Sequence, residues 1–222
     1  MKMDAPETDI DKLLAKVDAG RALNPTELLA VGELLRKYCV EGQSETLSLD
    51  MIYSLLVMIG NISRYHPRDI VEYTLELKDP LVACLALEIL CLKWNLVTDY
   101  LERVIDFALG VPWDHERDVQ QTALKILGEY LAGAIGEPEK KPKQNWQKKQ
   151  SRVFELLLSV FEDKTLDESI RTGAYIALCR GFGKSLELIP AECALLDVSD
   201  SSPEVDWEMV RSIRAQLKRE QD

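Results

Sequence analysis

At 222 residues the chain is long enough to bury a sizeable core, and 46% hydrophobic with 29% charged residues is an ordinary globular composition. Its formal net charge of −11 argues against a protein that grips nucleic acid or an anionic membrane, because both need clustered lysine and arginine. Such an acidic surface favours a basic protein partner instead.

The amino-terminal residues show no apolar run behind a basic segment, and no stretch approaches the roughly 18 apolar residues of a membrane-spanning helix. The five cysteines include no CxxC pair and mostly lie among aliphatic residues: Cys39, Cys84, Cys91, Cys179 and Cys193. The odd number and the surroundings predict reduced thiols, most of them buried, in a cytoplasmic protein without membrane contact.

Helical signals run along nearly the whole chain, and no segment shows the period-2 alternation of a strand. A leading helix is expected at 9–19. The segment 24–27 (NPTE) then combines an N-cap residue, a first-turn proline and an acid, which predicts a helix start. The cap-plus-proline signature returns at 79–80 and 202–203, and short breaks between the apolar runs predict tight helix–helix connections.

One frame of residue types recurs along the chain: an acid, an aliphatic residue at +3, a small residue at +7 and an aliphatic residue at +11. It fits strictly at 79–90, 116–127 and 167–178, and loosely at 48–59 and 202–213. These positions form one helix stripe, its small residue lets a neighbouring helix approach, and its acid caps the helix start. The recurrence predicts stacked helix pairs.

One interval between frames is longer than the others, and the excess coincides with GEPEKKPKQNWQKKQ (136–150). Its composition predicts an exposed basic insertion loop within a single domain of residues 1–222. Trp146, Lys148 and Lys149 are candidates for contact with an acidic partner or nucleic acid. A solvated loop, or one that folds back on the chain's own acids, is the alternative.

The unit DESIRTGAYIAL (167–178) resembles the second helix of a HEAT repeat, whose usual pattern is an acid, Val-Arg, Ala and Leu. Among the strict frames it alone keeps the arginine, at Arg171. The resemblance implies an all-α, right-handed α–α superhelix, a HEAT-like or armadillo-like solenoid with about five helix pairs over 24–220 after an N-terminal helix. It also implies a protein-binding scaffold and no catalytic residues.

The residues give no pattern for catalysis, a cofactor or a metal. His66 and His115 lack partners at metal-ligand spacing, and GFGKS (181–185) lacks the spacing of a phosphate loop and is better explained by a helix C-cap at Gly181. Most carboxylates fall at predicted helix starts, where capping explains them. We therefore expect no enzyme, no cofactor and no metal site.

Two acidic and aromatic stretches are candidates for binding a basic partner. They contribute Trp113, Asp114, Glu116 and Asp118 from VPWDHERD, and Asp206, Trp207 and Glu208 from the stretch 197–209. An aromatic anchor rimmed by acids suits a basic protein surface, whereas capping and packing between repeats is the alternative. If successive second helices start along one rim of a solenoid, these acids would form a continuous stripe.

The leading interpretation is a non-catalytic protein–protein interaction module, a scaffold or adaptor. Its more specific version is an acidic immunity protein or antitoxin that neutralises a basic toxin. Two alternatives stay open: a nucleic-acid-binding HEAT-like protein of the DNA-glycosylase type, and a HEAT-like protein of the bilin-lyase type. Nucleic acid and membrane are not the expected partners.

Overall fold

A computed structural model describes residues 12–41 (apart from 14, 17, 18, 20 and 22), 48–60, 68–136, 143–184, 187, 196–198 and 202–221. The regular structure of these residues is entirely helical, which confirms the all-α prediction. Its α-helices are α1 (Pro25–Glu41), α2 (Leu49–Gly60), α3 (Arg68–Thr74), α4 (Pro80–Leu87), α5 (Val97–Ala108), α6 (Asp118–Leu131), α7 (Lys143–Glu162), α8 (Glu168–Gly181) and α9 (Trp207–Gln221). A 3-10 turn (Leu75–Leu77) follows α3, and a π-helical stretch (Glu88–Lys93) extends α4.

The chain divides into two compact units, Met1–Trp94 with α1 to α4 and Asn95–Asp222 with α5 to α9. The single domain 1–222 thus stays a prediction. The leading helix expected at 9–19 falls mostly outside the described residues, as does most of the stretch 182–201 that would supply the first helix of a fifth pair. Nowhere in the described ranges is a helix both long and apolar enough to cross a bilayer.

The first unit consists of two helical layers. α1 packs on α3 and α2 packs on α4, while α1 contacts α2 and α3 contacts α4 across the layers. Gly60, at the end of α2, lies against Ile89 in the π-helical extension of α4: a Cβ there would lie 2.6 Å from Ile89 Cγ1. Because α2 also packs along α4 and their carboxyl ends meet, the two helices run parallel.

In the second unit α6 and α8 run parallel and in close contact. Built Cβ atoms at Gly173, Gly128 and Gly181 meet Leu124, Ala177 and Leu131 respectively, so contacts advance in the same direction along both helices. α5 packs on α6 and α7 packs on α8. The predicted second helices α6 and α8 therefore lie beside one another and each against its own first helix, whereas α9 packs on α7.

The stripes that the strict frames predict are buried. Their aliphatic and small positions are at most 1% exposed: Val82, Ala86, Leu90, Val119, Ala123, Leu127, Ile170, Ala174 and Leu178. In the loose frame at 48–59 Met51 is half-buried and its neighbour Ile52 is fully buried instead. The loose frame at 202–213 is buried at Val205, Met209 and Ile213.

Helix starts follow the sequence signals less closely than the stripes do. At α1 the prediction is confirmed: Asn24 Oδ1 accepts from the Glu27 N–H, and a Glu27 carboxylate oxygen accepts from the Asn24 N–H. Asp79 likewise caps α4 by accepting from the Val82 N–H. The start predicted at 202–203 is wrong, since α9 begins at Trp207.

The sequence predicts a loop over 136–150, but the segment is helical from Lys143 onward. Residues 137–142 lie outside the described ranges. Arg152, in the same helix, forms an ion pair with Glu102 of α5 at 2.6 Å. A basic side chain next to this segment thus does contact an acid of its own unit.

The described cysteines fit the prediction of buried thiols. Cys91 and Cys179 are fully buried, and Cys84 is half-buried. Burial raises the pKa of the Cys91 thiol to about 12. The side chains of Cys39 and Cys193 lie outside the described residues.

Candidate interaction surfaces

Asp114 caps the amino-terminal end of α6 with a buried side chain. It is only 2% exposed, and its Oδ2 accepts from the Gln120 N–H at 3.0 Å. Arg117, the residue before the helix, has a φ of +65°, and this left-handed turn lets a carboxylate from earlier in the loop reach the helix start. The residue that the frame assigns to capping, Glu116, is exposed and makes no cap, so that part of the prediction is wrong.

Of the other candidates in the first acidic stretch, one side chain packs against the protein and two are exposed to solvent. Trp113 is half-buried, with its ring edge-on to Phe107 at 6.1 Å between ring centroids. Glu116 and Asp118 are exposed. Of the four candidates, these two carboxylates are therefore the ones that solvent or a partner reaches freely.

Two buried acceptors lie in this region. Asp114 Oδ1 and Gln120 Oε1 have no hydrogen-bond partner within the described residues, although Gln120 Nε2 donates to the Ala108 carbonyl at 2.9 Å. A buried acceptor without a donor costs free energy. The loop before α6 thus combines a capping bond with a local energetic cost.

The second acidic stretch is tied into the structure at Asp206 and Trp207. Asp206 Oδ1 caps α9 at the Met209 N–H, and Oδ2 forms an ion pair with Lys184 Nζ at 2.7 Å. The hydrogen bond from Lys184 is the main cause that lowers the pKa of Asp206. Trp207 donates from Nε1 to the Ser202 carbonyl, while its neighbour Glu208 is exposed.

The contacts of Asp206 lie along α8. Its N–H donates to the Tyr175 hydroxyl in the middle of α8, and its side chain forms an ion pair with Lys184 just beyond the carboxyl end of that helix. The ring of Trp207 lies 5.8 Å from that of Phe161 at the end of α7. Asp118 begins α6, and the continuous acidic stripe expected from the sequence stays a prediction.

The basic candidates lie near the start of α7. Lys148 is exposed and Lys149 is half-exposed, whereas the side chain of Trp146 lies outside the described part. The arginine of the HEAT-like pattern has a different role. Arg171 donates from Nε to the Phe161 carbonyl at 2.9 Å and from Nη2 to the Val198 carbonyl at 2.8 Å, joining two chain segments.

An exposed apolar surface lies on α2 and α4 that the sequence patterns did not predict. Leu49 and Tyr53 are 48% and 41% exposed on α2, and Leu81 is 65% exposed on α4. Since α1 and α3 cover the opposite side of this layer, these three side chains share one outward side. Asp50 is exposed next to Leu49 on α2, and Glu88 is half-exposed at the start of the π-helical stretch that extends α4. We call these five residues the α2–α4 face.

The α2–α4 face carries three of the seven large hydrophobic residues that are exposed in the described ranges. The other four are Leu29 on α1, Tyr73 on α3, and Leu109 and Phe182 just after α5 and α8. Single exposed apolar residues are normal, whereas a group on one helix layer indicates binding. The available sequence signal was the pair Leu49 and Tyr53, which lies off the buried stripe of α2.

The corresponding outward side of α6 and α8 is polar. Asp118 and Gln121 are exposed, Lys125 is half-exposed, and Glu129 forms an ion pair with Arg180 at 2.9 Å. Within the described ranges no group of three or more His, Cys, Asp or Glu could hold a metal ion. His115 is exposed, and His66 lies outside those ranges.

Comparisons with known proteins give no relative for this chain. No protein-family model, no curated protein and no solved structure matches it.

Proposed function

We propose that the chain is a non-catalytic protein–protein interaction module, built from HEAT-like helix pairs stacked as a solenoid, that binds a basic protein. The observation that supports this function most directly is the α2–α4 face. Leu49, Tyr53 and Leu81 expose apolar surface on two parallel second helices, and exposed apolar patches mark interaction sites. The parallel packing of α6 with α8 supports the HEAT-like architecture.

The charge of the protein supports a basic partner. A net charge of −11 attracts positively charged surfaces and repels anionic ones, and Asp50 adds an exposed carboxylate at the α2–α4 face. At the exposed helix start of α6, Glu116 and Asp118 provide further carboxylates. The narrower hypothesis, an immunity protein or antitoxin against a basic toxin, rests on the acidity and size of the chain.

No described feature favours the two alternative classes. A DNA-glycosylase-like groove needs clustered bases on second helices, but on α6 and α8 Lys125 lies among acids and Arg180 is ion-paired with Glu129. A bilin-lyase function has no supporting contact in the described residues.

Affinity capture tests the proposal. The tagged chain would be incubated with lysate of the cells that express it, with and without nuclease, beside a tag-only control. We expect a reproducible basic protein that survives nuclease treatment and forms a defined complex with the purified chain. Exclusively acidic partners, capture lost on nuclease treatment, or no protein above the control would overturn it.

A further inference from the structure

We propose that the α2–α4 face binds an amphipathic helix of the partner whose apolar side is flanked by lysine or arginine. This inference rests on the proposed function and names the chemistry of its partner. Leu49 and Tyr53 stand four residues apart on one helix, a spacing that forms a ridge on the helix surface. Helices with apolar anchors at similar spacing pack against such surfaces.

The register between the two helices places the apolar residues next to one another. Gly60 meets Ile89, so Leu81 lies level with the first turns of α2, which carry Leu49 and Tyr53. Exposed apolar side chains of the two helices therefore lie at a similar level along the layer. Such a surface can accept several side chains from one partner helix.

The flanking charges indicate which amphipathic helix fits. Asp50 lies beside the patch on α2, Glu88 lies further along the layer, and Lys93 lies beyond Glu88, near Gly60 and away from the apolar residues. In a two-fold dimer the same patch would meet itself, so these acids would oppose acids on a copy that also carries a net charge of −11. A partner helix with basic flanks avoids that repulsion and pairs with both carboxylates.

The direct test measures binding of designed peptides to the full chain by fluorescence anisotropy. The probe is a labelled helical peptide with leucines on one side and lysines elsewhere, compared with the same peptide carrying glutamates. We expect the lysine peptide to bind and the glutamate peptide not to bind. The variants Leu81→Gln and Tyr53→Gln should each weaken binding about fivefold to tenfold, because apolar contact is lost at constant charge.

Matched variants separate this face from general stickiness. Leu109→Gln removes a leucine that is 58% exposed in the second unit and should leave binding unchanged. Asp50→Asn should weaken binding of the lysine peptide about twofold to fivefold, whereas Asp106→Asn, at an exposed acid of α5, should not. Equal binding of both peptides, or insensitivity to Leu81→Gln and Tyr53→Gln, would overturn the proposal.

Two further measurements test other occupants of the face. Sedimentation of the chain alone should show no dimer that Leu81→Gln dissociates, and zwitterionic vesicles should not bind. A dimer that Leu81→Gln dissociates, or binding to these vesicles, would mean that the face contacts a second copy or a lipid surface instead and would overturn the inference. The captured partner then separates the two proposals. Capture unchanged by Leu81→Gln contradicts the α2–α4 face but leaves the interaction module standing, whereas absence of any partner contradicts the module itself.

Discussion

Gly128 of α6 and Ala177 of α8 lie so close that a Cβ built on Gly128 would be 2.9 Å from the Cα of Ala177. Real Cβ atoms do not approach a backbone atom that closely, so a larger residue would push the two helices apart. The contact is possible because both residues are small. It fixes the separation of the parallel helices on which the second unit is built.

Gly128→Ala should therefore lower the free energy of unfolding by about 2 kcal/mol, because an extra methyl in a close-packed contact forces backbone shifts. Gly173→Ala is the control on the partner helix. Its Cβ would lie 3.4 Å from Leu124 Cδ1, an ordinary contact, and should stabilise the helix by about 0.5 to 1 kcal/mol. Urea unfolding measures both changes. Equal stability of the two variants would show that the helices are not in this contact.

The same helix pair shows what the sequence could and could not predict. Val119, Ala123 and Leu127 are buried as their periodicity indicates, because a helix stripe is a local property. The close contact between Gly128 and Ala177, however, lies outside the positions of the frame. Which residues meet across two helices depends on the angle and register of packing, and neither is encoded in one helix alone.

The loop before α6 gives a second prediction. Asp114→Ala should lower the free energy of unfolding by about 1 kcal/mol, because the Gln120 N–H loses its cap. Glu116→Ala, at the exposed position that the frame assigns to capping, should change it by less than about 0.5 kcal/mol. Thermal unfolding of the two variants measures both changes in stability. A larger loss for Glu116→Ala would restore the assignment made from the sequence.

There is also a physical reason why Asp114, and not Glu116, caps α6. A frame places the cap at a fixed spacing before the stripe, but Arg117 adopts a φ of +65° and turns the chain. The loop therefore brings Asp114 to the helix start from six residues before Gln120. Similarly, α9 begins at Trp207 because Asp206, rather than Ser202, caps it. Loop conformation of this kind follows from tertiary contacts that a single sequence does not show.

Arg171 supports a third prediction. Its planar guanidinium donates to the Phe161 and Val198 carbonyls at once, and a lysine ammonium cannot match that fork. Arg171→Lys should therefore cost about 1 to 2 kcal/mol of unfolding free energy, even though the charge is kept. Arg211→Lys, at an exposed position of α9, is the control and should cost less than about 0.5 kcal/mol. Similar urea midpoints for both variants would argue against the two carbonyl bonds.

The Lys184–Asp206 ion pair predicts how stability responds to acid. Because the pair lowers the folded pKa of Asp206 below its unfolded value, its stabilising contribution is present above about pH 4 and is lost as pH falls through the folded pKa. Lys184→Met should therefore lower the melting temperature at neutral pH, and its difference from the wild type should shrink as the pH falls below about 4.

Lys218→Met, at an exposed lysine of α9, controls for the loss of one positive charge and should show no such pH-dependent difference. Melting temperatures of the three proteins across an acid titration provide the measurement. If the Lys184→Met difference stayed constant down to the lowest pH, the carboxylate of Asp206 would not be the partner through which Lys184 stabilises the start of α9.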